Sequence, residues 1–132
     1  RRPPPRRPAR VSGGATSGED APEIVTVYAV FGSAEEAQRI ARIAVEERLA
    51  ACANILAPCT SIYRWQGAVE EAQEVPALFK TPAELANRLI ARIAELHSYE
   101  VPAAVAWPID NALGAYADWV SEAVTSSRLS PK

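Results

Sequence analysis

The sequence feature that most constrains the fold is a long β-hairpin predicted over residues 51–80. Both arms carry strand-forming residues, and the Gln66-Gly67 pair between them is typical of a tight reversal. Because proline cannot donate a hydrogen bond to a β-ladder, we expect a bulge or break at Pro58 and at Pro76. Strands usually run about 5 to 6 residues, and either arm could be longer. Such a hairpin would extend beyond a small sheet, which predicts cover by another copy of the chain.

Before the hairpin, the sequence predicts a strand followed by a helix. Residues 23–31 are almost wholly apolar and rich in β-branched side chains, the pattern of an interior strand. Ser33 and Glu36 form a capping box, which predicts a helix that begins at Ser33 and ends near residues 49–50. Apolar residues recur at helical spacing within this segment and are expected to face the sheet.

After the hairpin, the sequence predicts a second helix, a strand and a closing helix. Thr81 is expected to cap the second helix, with Pro82 at its first position and Glu84 completing the capping box. Residues 99–109 are predicted as a strand, and the prolines within it either favour a place at the edge of the sheet or confine its pairing to the middle. Residues 111–124 have the spacing of a short helix.

The predicted element order is βαββαβ followed by a C-terminal helix. Two strand–helix–strand units joined by a hairpin fold most simply into a four-stranded antiparallel sheet with both long helices on one face. This is the ferredoxin-like arrangement of the α+β class. The aromatic side chains offer more surface than two small helices can bury, which also predicts that subunits associate.

Composition separates a tail from the domain. Residues 1–21 are rich in Arg, Pro, Gly and Ser and are predicted to be disordered, residues 22–126 form the domain, and residues 127–132 form a frayed end. Five of the 14 basic residues lie in the tail, so the domain is net acidic, which argues against nucleic-acid binding. No apolar run reaches the roughly 18 residues that a membrane span needs. The two cysteines form neither a disulfide framework nor a zinc spacing, so reduced thiols in the cytoplasm are expected.

Few residue patterns in the chain indicate catalysis. The sequence holds one histidine, no nucleophile-elbow pattern and no glycine-rich phosphate loop, so we expect a protein that is not an enzyme. His97 stands at the end of the second helix, where it either makes helix-terminal hydrogen bonds or ligates a metal. Lys80 and Glu100 each stand at a strand–helix junction and are predicted to line one crevice, as an ion pair or as ligand-binding residues.

Four short motifs in the chain resemble those of one protein family. They are residues 49–55 (LAACANI), 61–67 (SIYRWQG), 78–81 (LFKT) and 97–102 (HSYEVP). In this order the motifs resemble the CutA divalent-cation tolerance proteins, and the resemblance runs from about residue 24 to residue 124. The resemblance implies a ferredoxin-like subunit in a tight homotrimer, with hairpins pairing across subunits, and a cytoplasmic role in tolerance of copper and other divalent ions.

The resemblance also implies a metal site, and this sequence departs from it. The implied ligands are a cysteine at the end of the first strand and a histidine pair, but here the strand ends at Phe31 and Leu96 precedes His97. Ser98 also replaces the proline that commonly follows the histidine. Without the thiolate and one imidazole, we expect His97 to bind copper or another divalent cation weakly.

Two functions are compatible with these residues. The first is a non-enzymatic CutA-like trimer that acts in divalent metal ion homeostasis and binds a metal or small ligand in clefts between subunits. The alternative is a small-molecule-sensing module like the PII signalling proteins, although the chain has no basic phosphate-binding cluster. The residues expected near the clefts are His97, Trp65, Lys80, Tyr99 and Glu100.

Overall fold

The computed structural model describes residues 22–125. The predicted disordered tail 1–21 and frayed end 127–132 lie outside the described residues, as does residue 126 of the predicted domain. Within the described range, no helix is both long enough and apolar enough to cross a membrane. The elements are β1 (Ile24–Phe31), α1 (Ala34–Glu46), β2 (Cys52–Ile55), β3 (Cys59–Trp65), β4 (Ala68–Pro82), a 3-10 turn (Ala83–Leu85), α2 (Ala86–Leu96), β5 (Ala104–Pro108) and α3 (Gly114–Thr125).

The strands form an antiparallel sheet in the order β2-β4-β1-β5, and β3 pairs with β4 beyond the end of the sheet. This confirms the predicted ferredoxin-like arrangement, with β2 and β3 as two halves of one interrupted hairpin arm. Helices α1 and α2 pack on one face of the sheet, over alternate residues of β1 and β4. The fully buried side chains of this core include Val27, Phe31, Ile40, Phe79, Leu89 and Ile93.

The hairpin is present as predicted, and its turn is the expected Gln66-Gly67 pair. Gln66 has φ 50° and Gly67 has φ 83°, so both turn residues lie in the left-handed region that matches the twist of the flanking strands. β3 pairs along its whole length with β4. β3 has seven residues, each with a rise of about 3.3 Å along the strand, so the hairpin extends well beyond the sheet.

Of the two proline breaks expected in the hairpin, one is present and the other is not. Residues 56–58 separate β2 from β3, so the break at Pro58 is confirmed. The break expected at Pro76 is wrong, because β4 runs through it and Pro76 pairs in register with Val30. The N–H of Val30 donates to the Ala103 carbonyl on the other side of β1, at 3.3 Å. That position of the ladder therefore needs no donor from Pro76, whose carbonyl instead accepts from the N–H of Leu56.

Thr81 does not cap the second helix, so that prediction is wrong. It is fully buried in β4 opposite Val25, and its Oγ1 donates to the Leu49 carbonyl at 2.7 Å. The 3-10 turn that follows has Pro82 at its cap position and no side-chain cap hydrogen bond. Pairing with β1 extends β4 through Pro82, and the buried contact with Leu49 outweighs the local capping signal.

Replacing Thr81 with valine, Thr81→Val, is expected to lower the free energy of unfolding by about 1 to 3 kcal/mol. The substitution keeps the side-chain shape but leaves the buried Leu49 carbonyl without its 2.7 Å donor. Urea denaturation measures the change. Thr60→Val is the matched control, because Thr60 lies on the exposed hairpin and only accepts a hydrogen bond from Gln73. Equal losses in both variants would contradict this role for Thr81.

The sheet face opposite α1 and α2 is only partly covered. Helix α3 packs at one end of this face, where Ala117 and Val120 contact Ile24 and Ala51 in a separate apolar cluster. Beyond α3, alternation along the strands places four apolar side chains on the same face, which we call the open face: Tyr28, Leu78, Val105 and Trp107. Val105 is 51% exposed and Trp107 is 44% exposed.

Strand β5 lies at the edge of the sheet, as predicted, and pairs with β1 alone. It is shorter than the predicted strand, because residues 98–103 form a loop that leads from α2 into β5. This loop lies beside the end of β1, where the N–H of Val30 reaches Ala103. The shortening therefore places residues 98–103 in a loop beside β1 rather than in the sheet.

Candidate functional site

The candidate site lies where α2 ends beside the last residues of β1, with His97 at its centre. The His97 side chain is fully buried. Its Nε2 lies 2.7 Å from the Val30 carbonyl, and its Nδ1 accepts from the backbone N–H of Tyr99 at 3.0 Å. A ring that donates from one nitrogen and accepts at the other is the neutral imidazole. The hydrogen-bonding role considered for His97 is therefore present.

Aromatic rings fix the imidazole of His97 from two sides. Phe31 stacks on it with ring centroids 5.0 Å apart and an interplanar angle of 15°. Tyr99 packs at 4.7 Å with a tilt of 52°. Since Phe31 is fully buried in the core, this stacking ties the loop after α2 to the end of β1.

Glu36, in the first turn of α1, organises the polar side of the site. Ser33 caps α1 as predicted by accepting from the Glu36 N–H at 3.1 Å, but the carboxylate turns away from its own helix. Its Oε2 accepts from the Ser98 N–H at 2.7 Å, and its Oε1 accepts from the Ser98 hydroxyl at 3.0 Å and the Gly32 N–H at 3.3 Å. Oε2 also lies 3.5 Å from Nδ1 of His97.

These contacts set the charge of Glu36. Burial by itself would raise the pKa of Glu36, but the hydrogen bonds from the N–H and hydroxyl of Ser98 and from the N–H of Gly32 favour the charged form. The pKa is therefore held below its usual value of 4.5. The site thus contains an ionised carboxylate whose side chain is only 10% exposed and which crosslinks α1 to the loop after α2.

Tyr99 joins the site to the base of the hairpin. Its hydroxyl donates to Oε2 of Glu74 at 2.8 Å. Burial, together with this hydrogen bond and the charge of Glu74, raises the pKa of Tyr99 to about 12. A side chain at Gly32 would meet the Tyr99 hydroxyl at 3.3 Å, so glycine permits this close approach.

The structure brings together only some of the predicted cleft residues. Tyr99 and Glu100 lie two and three residues after His97, and Glu100 is exposed beside this site. Lys80 lies opposite Thr26, near the start of β1, so it stands at the other end of the strand from His97. The shared crevice predicted for Lys80 and Glu100 is therefore not formed within one chain. Trp65 is 56% exposed at the end of the hairpin.

Within residues 22–125, the donor atoms of one chain do not form a metal site. Among the described residues, no group of three or more His, Cys, Asp or Glu side chains is placed to hold an ion. A metal on either nitrogen of His97 would have to displace the Val30 carbonyl or the Tyr99 N–H. The sequence also did not reveal Glu36 as the centre of the network, because the capping box assigned its carboxylate to its own helix.

Replacing Glu36 with glutamine is expected to lower the free energy of unfolding at about pH 7. It should also make that free energy depend less on pH in the acid range. The pKa of Glu36 is lowered in the folded state. Its stabilising contribution is therefore fully present above the usual value of 4.5 and is lost as the pH falls through the folded-state pKa. The loss at about pH 7 should be about 1 to 3 kcal/mol, since hydrogen bonds to a charged acceptor are replaced.

Urea denaturation at about pH 7 and about pH 3 tests this expectation. The matched control is Glu35→Gln, which changes the neighbouring exposed residue of α1. Identical pH profiles for the wild type and Glu36→Gln would show that the Glu36 carboxylate is not responsible for the acid dependence.

Comparison with known proteins identifies close relatives. Residues 25–123 match the family described as CutA1 divalent ion tolerance protein. The divalent-cation tolerance protein CutA of Thermus thermophilus is 50% identical over 90 residues, which cover 68% of this chain and 87% of that protein. The crystal structure of divalent ion tolerance protein CutA1 from Ehrlichia chaffeensis matches with a TM-score of 0.76 and 30% identity, covering 79% of this chain and 97% of that one. The structure of the periplasmic divalent cation tolerance protein CutA from Archaeoglobus fulgidus matches with a TM-score of 0.74 and 37% identity, covering 76% and 98%.

Proposed function

The chain belongs to the CutA1 divalent ion tolerance family, and we propose on this ground that it acts in tolerance and homeostasis of divalent metal ions, copper among them. The observation that carries the proposal is the family match over nearly all of the described residues. All the relatives reported above are CutA proteins, so they favour this function over a PII-type sensor. In this proposal the protein is not an enzyme, and its effect comes from binding.

We further propose that the chain acts as a homotrimer. Two apolar surfaces within the described residues support association. One is the open face, where Val105 and Trp107 are about half exposed, and the other is the projecting hairpin, where Ile62 is 66% and Val69 is 63% exposed. Both surfaces would be covered if the hairpin of one copy packed along the sheet of the next. The number of subunits, three, is what the motif resemblance to the CutA proteins implies.

A divalent ion or small ligand would then bind in clefts between subunits. The support is geometric, because in the part of one chain that the structure describes the donors do not converge on an ion. The cleft candidates Lys80, Tyr99 and Glu100 lie at both ends of the sheet, and Trp65 lies on the projecting hairpin. Contact between neighbouring copies would bring metal-binding donor atoms from separate chains together. His97 contributes to such a cleft chiefly by holding Tyr99 in place.

A reducing compartment such as the cytoplasm fits the thiols. Cys52 and Cys59 are both free, and they pair with β4 at Lys80 and Glu74, six residues apart along the strand. Free half-buried cysteines are typical of reducing environments. Fractionation of cells that express the full chain tests this part of the proposal.

The proposed function is tested in a bacterial strain that lacks its own CutA gene and is exposed to elevated copper or zinc. Expression of this chain is expected to restore growth towards the level of the parent strain. Glu35→Gln serves as a matched control and should restore growth equally, because Glu35 is exposed on α1 outside the site. Absence of rescue by a chain shown to be folded and abundant in the cells would overturn the proposal.

A further inference from the structure

We infer that residues 97–99 act as a strut, a short segment that fixes the hairpin relative to the body of the domain. The strut is held at α1 by Glu36 and at the hairpin by Glu74. In consequence, these two carboxylates help to set how copies of the chain assemble. The effect on assembly depends on the proposed homotrimer, whereas the strut itself is a property of one chain.

The body end of the strut is anchored by several contacts at once. Glu36 accepts from both the N–H and the hydroxyl of Ser98. His97 bonds to the Val30 carbonyl and stacks on the buried ring of Phe31. These contacts join α1 and β1 to the start of the strut, so its position follows that of the core.

The hairpin end of the strut is anchored by one side chain. Tyr99 is fixed at its backbone, where its N–H donates to Nδ1 of His97, and at its hydroxyl, which donates to Glu74. Within residues 22–125, the Tyr99–Glu74 contact is the one side-chain hydrogen bond that links residues 59–74 to the rest of the chain. The remaining support for the hairpin is backbone. β4 continues from the hairpin into the sheet, and residues 56–58 connect β2 to β3, with the N–H of Leu56 donating to the Pro76 carbonyl at 2.9 Å.

This anchoring has a consequence for assembly. A two-stranded ribbon joined to a sheet through one continuous strand and one short connecting segment can twist and bend at the point where the pairing partner changes. In β4 that point lies between Glu74, which pairs with β3, and Val75, which pairs with β1. The strut attaches at this hinge. By fixing the angle there, it would direct the exposed Ile62 and Val69, which share one face of the hairpin, towards a neighbouring subunit.

Hydrogen–deuterium exchange of the full chain tests the strut. Tyr99→Phe removes the hydroxyl that holds Glu74, and exchange of the backbone amides in residues 59–74 is expected to rise about fivefold. Glu36→Gln should raise exchange in the same segment, although Glu36 does not contact the hairpin. The amides of β1 should be unchanged in Tyr99→Phe. The matched control is Tyr63→Phe, because Tyr63 lies on the hairpin and is 39% exposed, as Tyr99 is.

Unchanged exchange in residues 59–74 of Tyr99→Phe, or an equal rise in Tyr63→Phe, would overturn the inference. Loss of the trimer gives a different pattern, since dissociation would also expose the amides of β5 beside the open face. Light scattering on each sample separates the two cases. A wild-type monomer would refute the proposed homotrimer, and the exchange of residues 59–74 in that monomer would still decide whether the strut exists.

Discussion

Replacing His97 with alanine is expected to lower the free energy of unfolding by about 3 to 5 kcal/mol, the range of large aromatic truncations in protein cores. The ring is fully buried and stacked on Phe31, so its removal leaves a cavity. The Val30 carbonyl and the Tyr99 N–H also lose their partners. Urea denaturation at a fixed protein concentration measures the change, because the stability of an oligomer depends on concentration.

A comparison with His97→Gln sharpens this test. Glutamine has a donor and an acceptor in its side chain, so it should preserve part of the hydrogen bonding and lose less stability than alanine. If His97 were chiefly a metal ligand, both variants would match the wild type in metal-free buffer. A loss below about 1 kcal/mol in His97→Ala would therefore contradict the structural role assigned to the ring.

Replacing Val105 with arginine is expected to dissociate the proposed homotrimer into single chains. Val105 is 51% exposed in one chain, so a charge there costs the monomer little. In the assembled protein the same charge would lie in an apolar interface without a partner, and the symmetry would repeat the cost in every subunit. Light scattering should show the mass falling from three times 14.2 kDa to 14.2 kDa.

The matched control for this substitution is Val45→Arg. Val45 is 38% exposed and lies on α1, which covers the other face of the sheet. The control should keep the mass of the wild type. Dissociation by both variants, or by neither at micromolar concentration, would contradict the assignment of the open face as the subunit interface. Circular dichroism shows whether each variant is folded.

The elements that the sequence predicted best are those that local patterns determine. The apolar run of β1, the Ser33 cap of α1 and the Gln66-Gly67 turn each depend on neighbouring residues, and the structure confirms all three. The hairpin and the element order followed from them, and with the connection rules they were enough to predict the ferredoxin-like sheet.

The errors lie where distant residues decide the local structure. Thr81 carries the signal of a helix cap, yet pairing with Val25 and a hydrogen bond to Leu49 keep it in β4. Pro76 carries the signal of a break, yet the carbonyl and N–H of Val30 turn towards the opposite side of β1. Neither the register of β1 on β4 nor the direction of these groups can be deduced from the residues around Thr81 or Pro76.

The candidate site was only partly predictable for the same reason. His97 and Tyr99 are two residues apart in the chain and were identified together. Glu36 was not, because it reaches Ser98 across 62 residues of sequence, and no spacing rule connects the two. Lys80 was placed with Glu100 because both stand at strand–helix junctions, but antiparallel pairing opposite Thr26 carries Lys80 to the other end of β1.

The proposed site holds a divalent ion between subunits rather than within one chain, and copper titration of wild type and Val105→Arg tests this most directly. Calorimetry should detect binding to the trimeric wild type and its loss in the monomeric variant, while His97→Gln, if still trimeric, should retain most of the affinity. Equal copper affinity in the trimer and the monomer would place the site within one chain. No binding to the wild type would show that tolerance arises without a bound ion.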